Sequence, residues 1–249
     1  MPKYQKFHEW CRVNGILNPS VEYPVAFGKH GHLVGMCAAR DIPPMTAFIY
    51  IPWHLLITDE NIRKRTPLLH SLFENHPELF KKYYDAEYLR MVMFLWHERA
   101  KGDKSFWKPY LDIINFTDLP CLWSDDELAE LQDAVLIANI KAYRRDFEEE
   151  WDQVYKLLHK NKYDDIIPGI SDVERKDSLR EDYIWAFCGV VTRCFGWGLP
   201  CTMMAPFADT INHHNVDSSY DIIKSEWRPI SLDERERYFP ETNLTSSLV

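Results

Sequence analysis

The stretch Cys201-Thr-Met-Met-Ala-Pro206-Phe-Ala-Asp209-Thr-Ile-Asn212-His213-His214 passes from an apolar half to a polar half and shows no helical period. The apolar half predicts a buried segment. The polar half then needs hydrogen-bond partners, because an unpaired buried polar group costs about 1–3 kcal/mol. On composition alone, a turn closed by Asx-type bonds to the backbone explains this cluster. A ligand site built on Asp209, Asn212 and His213 is the alternative, and the rest of the chain must decide between the two.

A β-hairpin is predicted near the start of the chain. Two short apolar runs, 21–27 and 33–38, flank the glycine-bearing loop 28–32, and this pattern is typical of two strands joined by a turn. A third strand is expected at 47–51. Gly35 would let another backbone or a ligand approach closely. The loop is not a dinucleotide-binding fingerprint, because the glycine spacing differs and no helix follows.

Helices are expected between these two parts. A short amphipathic helix is predicted at 3–14, and the segment 87–100 is apolar nearly all round, which predicts a buried helix. An apolar stripe from Leu136 to Leu158 predicts a long helix that breaks only near Pro168-Gly169. A further helix should bury one side made of Ile184, Phe187, Cys188, Val191 and Phe195. Capping boxes are predicted at Ser124 to Glu127 and at Ser171 to Glu174. The order of elements predicts an α+β fold in which a helical insertion splits the β part.

Composition limits the classes of partner and compartment. Of 249 residues, 46% are hydrophobic and the net charge is −9, which disfavours nucleic acid as the main partner. The six cysteines form no CxxC pair, no apolar run reaches 18 residues, and the start of the chain has no secretory leader. We therefore expect a monomer in a reducing compartment, the cytoplasm or the nucleus, with no membrane partner.

Histidines and an arginine are further candidates for function. His30, His32 and His213 could ligate zinc and support a zinc-dependent hydrolase, although no pair has i, i+4 spacing and no cysteine lies beside them. Arg193 ends a predicted helix, where a cation suits the helix dipole, and it could also bind a carboxylate. The sequence does not favour a metal site, and the usual hydrolase and nucleotide-binding motifs do not occur.

Four motifs in order resemble one known family. They are the glycine-bearing hairpin with Ala39-Arg-Asp-Ile-Pro43, the stretch Trp107-Lys-Pro-Tyr-Leu111 with Leu119-Pro120 and Trp123, the helix Asp182-Tyr-Ile-Trp-Ala186 with Thr192-Arg193, and Pro206-Phe-Ala-Asp-Thr-Ile-Asn-His213. Together they resemble the SET-domain protein methyltransferases, in the subgroup typified by the Rubisco large-subunit methyltransferase. The resemblance covers roughly residues 21–225. It implies a small β-sheet SET fold split by a large helical insertion.

The resemblance also implies a function and a cofactor site. Members of this family transfer a methyl group from S-adenosylmethionine to a lysine of a protein substrate, and the acceptor here could also be a histidine. Residues that match the cofactor-binding positions are Leu33, Val34, Gly35, Met36, Arg193, Asp209, Asn212 and His213. In most relatives a small hydroxyl residue follows the Asn-His pair, whereas this chain has His214.

The chain departs from the family after the Asn-His motif. The block that carries the catalytic tyrosine does not occur, and Tyr220 and Tyr238 lack its context, so the last SET strands are expected to be truncated and no catalytic residue is assigned. The expected segments are an N-terminal helix at 1–20, the first SET part at 21–60, the helical insertion at 61–180 and the second SET part at 181–249. The alternative function is a SET-fold binding module without turnover.

Overall fold

The computed structural model describes residues 2–29, 31, 33–44, 46–81, 86–115, 119–196 and 198–213, together with four later residues, Ser231, Asp233, Arg237 and Phe239. The chain divides into two compact units. The β unit comprises 1–57, 194–197 and 203–249, and the helical unit comprises 58–193 and 198–202. The segment limits expected from the sequence at 20, 60 and 180 stay a prediction.

The β unit is built on one helix and short strands. Helix α1 spans Pro2–Val13, β1 spans Val21–Phe27 and β2 spans Leu33–Ala38. The strands β1 and β2 pair antiparallel with Val21 opposite Ala38 and Phe27 opposite Leu33, so the predicted hairpin is confirmed at both ends. A second sheet has the order β3-β5-β4, where β3 is Ile57–Thr58, β4 is Cys194–Phe195 and β5 is Met203–Met204.

The third predicted strand, at 47–51, is wrong. Only an isolated bridge between Leu17 and Tyr50 forms there, with N–H to O distances of 3.0 and 2.8 Å. An apolar run becomes a strand only if a neighbour supplies a ladder of hydrogen bonds, and here a single residue finds such a partner.

The helical unit contains eight helices among the residues that are described. Their bounds are α2 Asp59–Arg65, α3 Pro67–Asn75, α4 Pro77–Phe80, α5 Ala86–Ala100, α6 Lys108–Leu111, α7 Asp125–Ala129, α8 Ala134–Asn161 and α9 Lys176–Arg193. Of the described helices, none is both long and apolar enough to cross a lipid bilayer.

The centre of the helical unit is α5, which is buried on nearly all sides as its sequence predicts. Gly189 of α9 faces this helix, and a side chain there would come within 3.3 Å of Leu95 Cδ1, so glycine sets how closely the two helices pack. The rings of Trp96, Trp151 and Tyr183 meet at centroid distances of 5.2 to 5.8 Å. These aromatic contacts join α5, α8 and α9 in one core.

Of three helix predictions, two need correction. The helix α8 ends at Asn161 rather than near Pro168, because Lys162 adopts a left-handed backbone and the Tyr163 N–H donates to Leu158 O. The capping box at Ser124 is confirmed. The one at Ser171 is wrong, because the Ser171 hydroxyl donates to Asp164 while Asp172 caps a short 3-10 turn at 173–175.

The buried face of α9 also differs from the predicted one. Of the predicted face, Cys188 is buried but Val191 is 41% exposed, whereas Leu179, Tyr183, Ala186 and Val190 are buried. Gly189, which has no side chain, faces Leu95 of α5.

Glu150 gives the helical unit a pH-dependent stability. Burial raises the pKa of this carboxyl, and the hydrogen bond that Tyr183 Oη donates to it, at 2.7 Å, opposes the rise. The folded state therefore favours the protonated form. This stabilisation is complete below the pKa of the carboxyl in the unfolded chain, about 4.3. It is lost as the pH rises through the higher pKa of the folded chain.

The substitution Glu150→Gln is expected to remove the pH-dependent contribution of this carboxyl to the free energy of unfolding. The free energy of unfolding of the native chain, minus that of the variant, should fall as the pH rises from about 4 through the raised pKa. Chemical denaturation across this range measures the difference. The exposed neighbour Glu148→Gln serves as the control and should keep the native pH profile. Equal profiles for the native chain and Glu150→Gln would contradict the assignment.

Candidate functional site

A strained residue begins the polar part of the late motif. Phe207 has φ +79° and ψ −47°, a region that bulky residues rarely adopt and that costs about 1–3 kcal/mol. Its ring is fully buried, stacked on Phe7 at 6.1 Å and edge-on to Tyr23 at 6.2 Å. Burial of the ring therefore holds the backbone in this conformation and turns the chain sharply.

A short 3-10 turn at 208–210 follows and fixes the direction of the motif. The Thr210 hydroxyl donates to Phe207 O at 2.7 Å, and the Asp209 N–H donates to Ala205 O at 3.0 Å. Asp209 is half-buried, and its carboxylate lies near the buried thiol of Cys11. Burial, with that negative charge as a second cause, raises the pKa of Cys11. Cys11 is therefore an inert core residue rather than a nucleophile.

Asn212 joins the motif to the hairpin through its side-chain amide. The Met36 N–H donates to Asn212 Oδ1 at 3.0 Å, and Asn212 Nδ2 donates to Met36 O at 2.6 Å. The two residues lie 176 positions apart in sequence. The amide thus occupies one position of a β-ladder and satisfies both backbone groups of Met36. We call this pair of hydrogen bonds the clasp.

The clasp depends on glycine at position 35. A Cβ atom there would lie 2.0 Å from Asn212 Oδ1 and 3.1 Å from Phe27 Cε2. The first distance is far shorter than any van der Waals contact, so a side chain at 35 and the amide of Asn212 exclude each other. The constraint is spatial, because Gly35 does not carry a positive φ.

The structure brings together only part of the predicted site. Gly35, Met36 and Asn212 are in contact, and Asp209 lies one turn before Asn212. The side chains of Leu33, Val34 and His213 are exposed beside this contact in sequence. Arg193 belongs to the helical unit, where it is the half-buried last residue of α9.

Other predicted residues lie outside the described part of the chain. They are His30, His32, His214, Tyr220 and Tyr238. Within the described part, no three side chains of His, Cys, Asp or Glu are grouped as metal ligands.

The sequence reasoning missed Phe207 and its aromatic neighbours Phe7, His8 and Tyr23. The signal was weak, since Phe207 reads as one more apolar residue of a buried run and nothing local indicates a positive φ. Aromatic residues in α1 and β1 were visible, but a contact between segments about 200 residues apart has no signature in spacing.

The geometry leaves binding groups at the clasp. The Asn212 amide nitrogen carries two protons, and among the described residues one of them is directed at a protein acceptor, Met36 O. Among the described residues no acceptor takes the second proton, and this N–H and the exposed His213 suit a polar ligand, while the exposed Leu33 and Val34 add apolar surface. This combination of a few polar groups with apolar surface is typical of small-molecule sites.

Curated proteins with similar sequences are protein methyltransferases. No protein-family model matches the chain. Among curated proteins, the actin-histidine N-methyltransferase of Xenopus tropicalis is 27% identical over 76% of this chain and 30% of its own length. The chloroplastic fructose-bisphosphate aldolase lysine N-methyltransferase of Arabidopsis thaliana is 27% identical over 88% of this chain and 42% of its own length.

Solved structures share the fold. Rubisco LSMT bound to sinefungin and monomethyllysine matches with a TM-score of 0.63 and 23% identity over 89% of this chain and 47% of that chain. The SET domain of LSMT bound to lysine and AdoHcy matches with a TM-score of 0.60 and 22% identity, over 86% of this chain and 46% of that chain. The chain thus spans less than half the length of these matches. The SET fold with its helical part, in the form found in Rubisco LSMT, is confirmed.

Gly35→Ala and Asn212→Ala test the clasp. Each should destabilise the chain by about 1–3 kcal/mol, the first by collision with the amide and the second by leaving the Met36 backbone groups unpaired. The double variant should lose clearly less than the sum, because Gly35→Ala has nothing to collide with once the amide is gone. Denaturant unfolding of the four proteins measures the coupling.

The exposed Leu33→Ala in the same strand is the matched control, with an expected change within about 0.5 kcal/mol. Additive losses in the double variant, within about 0.5 kcal/mol, would contradict the clasp.

Proposed function

We propose that this SET-fold chain contributes the cofactor half of an S-adenosylmethionine-dependent protein N-methyltransferase that methylates a lysine side chain of a protein substrate. The observation that carries the proposal is the clasp, which holds the early glycine-bearing hairpin against the late Asn-His motif. Curated relatives named as protein lysine and histidine N-methyltransferases support it. Because one is named for a histidine acceptor, histidine is the alternative acceptor.

The proposed cofactor residues are Leu33, Val34, Gly35, Met36, Arg193, Asp209, Asn212 and His213. The cofactor fits the donor set at the clasp, since the second Asn212 N–H and the exposed His213 suit polar groups of a nucleoside amino acid. Arg193 suits its carboxylate. Gly35 contributes by having no side chain, so that the Asn212 amide can approach the hairpin backbone and hold the clasp.

When bound, S-adenosylmethionine supplies a sulfonium methyl group that an amine can attack in line. A lysine amine has a pKa of about 10.4, so it must lose its proton before it becomes a nucleophile. The chain's own contribution is therefore to align and desolvate the reactants. The residue that receives the proton is not assigned, since Tyr220 and Tyr238 fall outside the described ranges.

The setting of this activity is also part of the proposal. All six cysteines are free, which favours a reducing compartment, and we infer the cytoplasm or the nucleus. The net charge of −9 favours a protein substrate over nucleic acid and gives no reason to expect a membrane partner. We further infer that the chain works as a monomer. Recovery of the native protein from an oxidising compartment, or as a stable dimer by light scattering, would contradict these points.

Cofactor binding should depend on Arg193. Arg193→Ala is expected to weaken the binding of S-adenosylmethionine by about 2 kcal/mol, roughly 30-fold, through loss of a charge-assisted pair. Asn212→Ala should abolish binding. Titration calorimetry on the purified chain measures both, with circular dichroism to confirm that each variant is folded. Arg180→Ala, on the same helix and paired with the exposed Glu148, is the control and should bind as the native chain does. Equal affinities of Arg193→Ala and Arg180→Ala would remove Arg193 from the site.

Methyl transfer tests the activity itself. The chain is incubated with cofactor labelled in the methyl group and with aldolase, Rubisco or actin, the proteins for which the relatives are named. The expected product is labelled methyllysine after hydrolysis. Labelled methylhistidine would move the proposal to the alternative acceptor. Cofactor binding without transfer to any protein would identify a binding module instead.

A further inference from the structure

Two cysteines share one pocket in the helical unit, and neither is among the proposed cofactor residues. Cys121 lies on the short 3-10 turn at 120–122, and Cys188 lies on α9. The side chains of these two residues line the same pocket. Cys188 is 2% exposed and Cys121 is half-buried, so an oxidant or alkylating agent meets Cys121 first.

The surroundings of the pair differ from an ordinary apolar core. The aromatic side chains of Tyr143, Phe147 and Phe187 line the pocket. The ring centroids of Phe147 and Phe187 lie 4.8 Å apart. Arg144 reaches in from α8 and donates to Cys121 O at 2.8 Å and to the carbonyl oxygens of Pro120 and Trp123. One guanidinium therefore fixes the turn that carries Cys121.

Charges around the pair favour ionisation of one thiol. The hydrogen bond from Cys188, which outweighs the effect of burial, lowers the pKa of Cys121 to about 7, and the positive charge of Arg144 contributes. The same hydrogen bond, with burial and the negative charge of Cys121, raises the pKa of Cys188. Asp125 of α7 pairs with Arg144 at 3.3 Å and with Lys141 at 3.2 Å. These directions favour the thiolate form at Cys121 and the thiol form at Cys188.

We propose that Cys121 and Cys188 form a peroxide-sensitive dithiol that closes to an intramolecular disulfide between the 120–122 turn and α9. In the first step the Cys121 thiolate attacks one oxygen of hydrogen peroxide. The O–O bond breaks, hydroxide leaves, and Cys121 becomes a sulfenic acid. In the second step the Cys188 sulfur, as it loses its proton, attacks the Cys121 sulfur, and the S–O bond breaks. The departing hydroxide takes up the proton as water. The two sulfurs are oxidised by two electrons in all, and one peroxide is reduced to two waters.

The chemistry suits these two residues for separate reasons. A thiol with a pKa near the ambient pH combines a large thiolate fraction with good nucleophilicity. A disulfide has an S–S separation of about 2.0 Å, so the two side chains, which line one pocket, must turn toward each other to form it. Reducing compartments disfavour permanent disulfides but permit transient ones, so the pair is suited to reversible oxidation.

The test treats the folded chain with hydrogen peroxide at pH 7 and then blocks the remaining thiols. Peptide mass spectrometry should find Cys121 linked to Cys188 with loss of two hydrogens, reversed by a dithiol reductant. Cys188→Ser should stop the reaction at a sulfenic acid on Cys121 that dimedone captures, and Cys121→Ser should show no disulfide at Cys188. Cys201→Ser is the matched control and should behave as the native chain does.

A second measurement avoids variants altogether. Iodoacetamide in limiting amount should alkylate Cys121 at least about tenfold faster than Cys201 in the same native chain at pH 7, since burial and nearby carboxylates raise the pKa of Cys201. Equal alkylation rates would overturn the proposal, as would a Cys121–Cys188 link that forms only after denaturation.

Discussion

The β unit depends on the clasp between Asn212 and Met36, because it joins segments 176 positions apart. Closing an unfolded loop of that length costs about 5 kcal/mol in chain entropy. Two amide hydrogen bonds return only about 2 kcal/mol net. The clasp therefore needs support, and burial of the Phe207 ring against Phe7 and Tyr23 adds about 2–3 kcal/mol at the same end of the loop. The helical unit has a core of its own, so its folding also shortens the loose part of the loop.

Patterns within a short stretch of sequence predicted the elements that depend on contacts close by in the chain. The limits of β1 and β2 follow from apolar runs bounded by glycine, and α5 follows from a segment that is apolar on all sides. The predictions failed where the structure of a segment depends on contacts with residues far away in the sequence. The run at 47–51 has strand composition but finds only the Leu17 bridge. The exposure of Val191 and the close approach of α5 at Gly189 depend on how α9 packs against its neighbours.

The candidate site shows the same division. Position and residue type could be predicted for Gly35 and Asn212, because the resemblance links a glycine-bearing hairpin to a late Asn-His motif. Nothing in the spacing predicts that the amide would hydrogen-bond both backbone groups of Met36, or that glycine is required by a 2.0 Å exclusion. The strained Phe207 was also beyond local reasoning, since a positive φ at a bulky residue persists only when tertiary packing holds it.

One amide therefore carries two functions. Asn212 uses one N–H and its oxygen to hold the hairpin, and its second N–H is proposed to meet the ligand. Hydrogen bonds made by one group polarise each other. A ligand that accepts from the second N–H would then tighten the clasp, and a firm clasp would present that N–H in a fixed direction. Stability of the β unit and affinity for the ligand are in this way thermodynamically linked, because anything that binds only the folded arrangement also stabilises it.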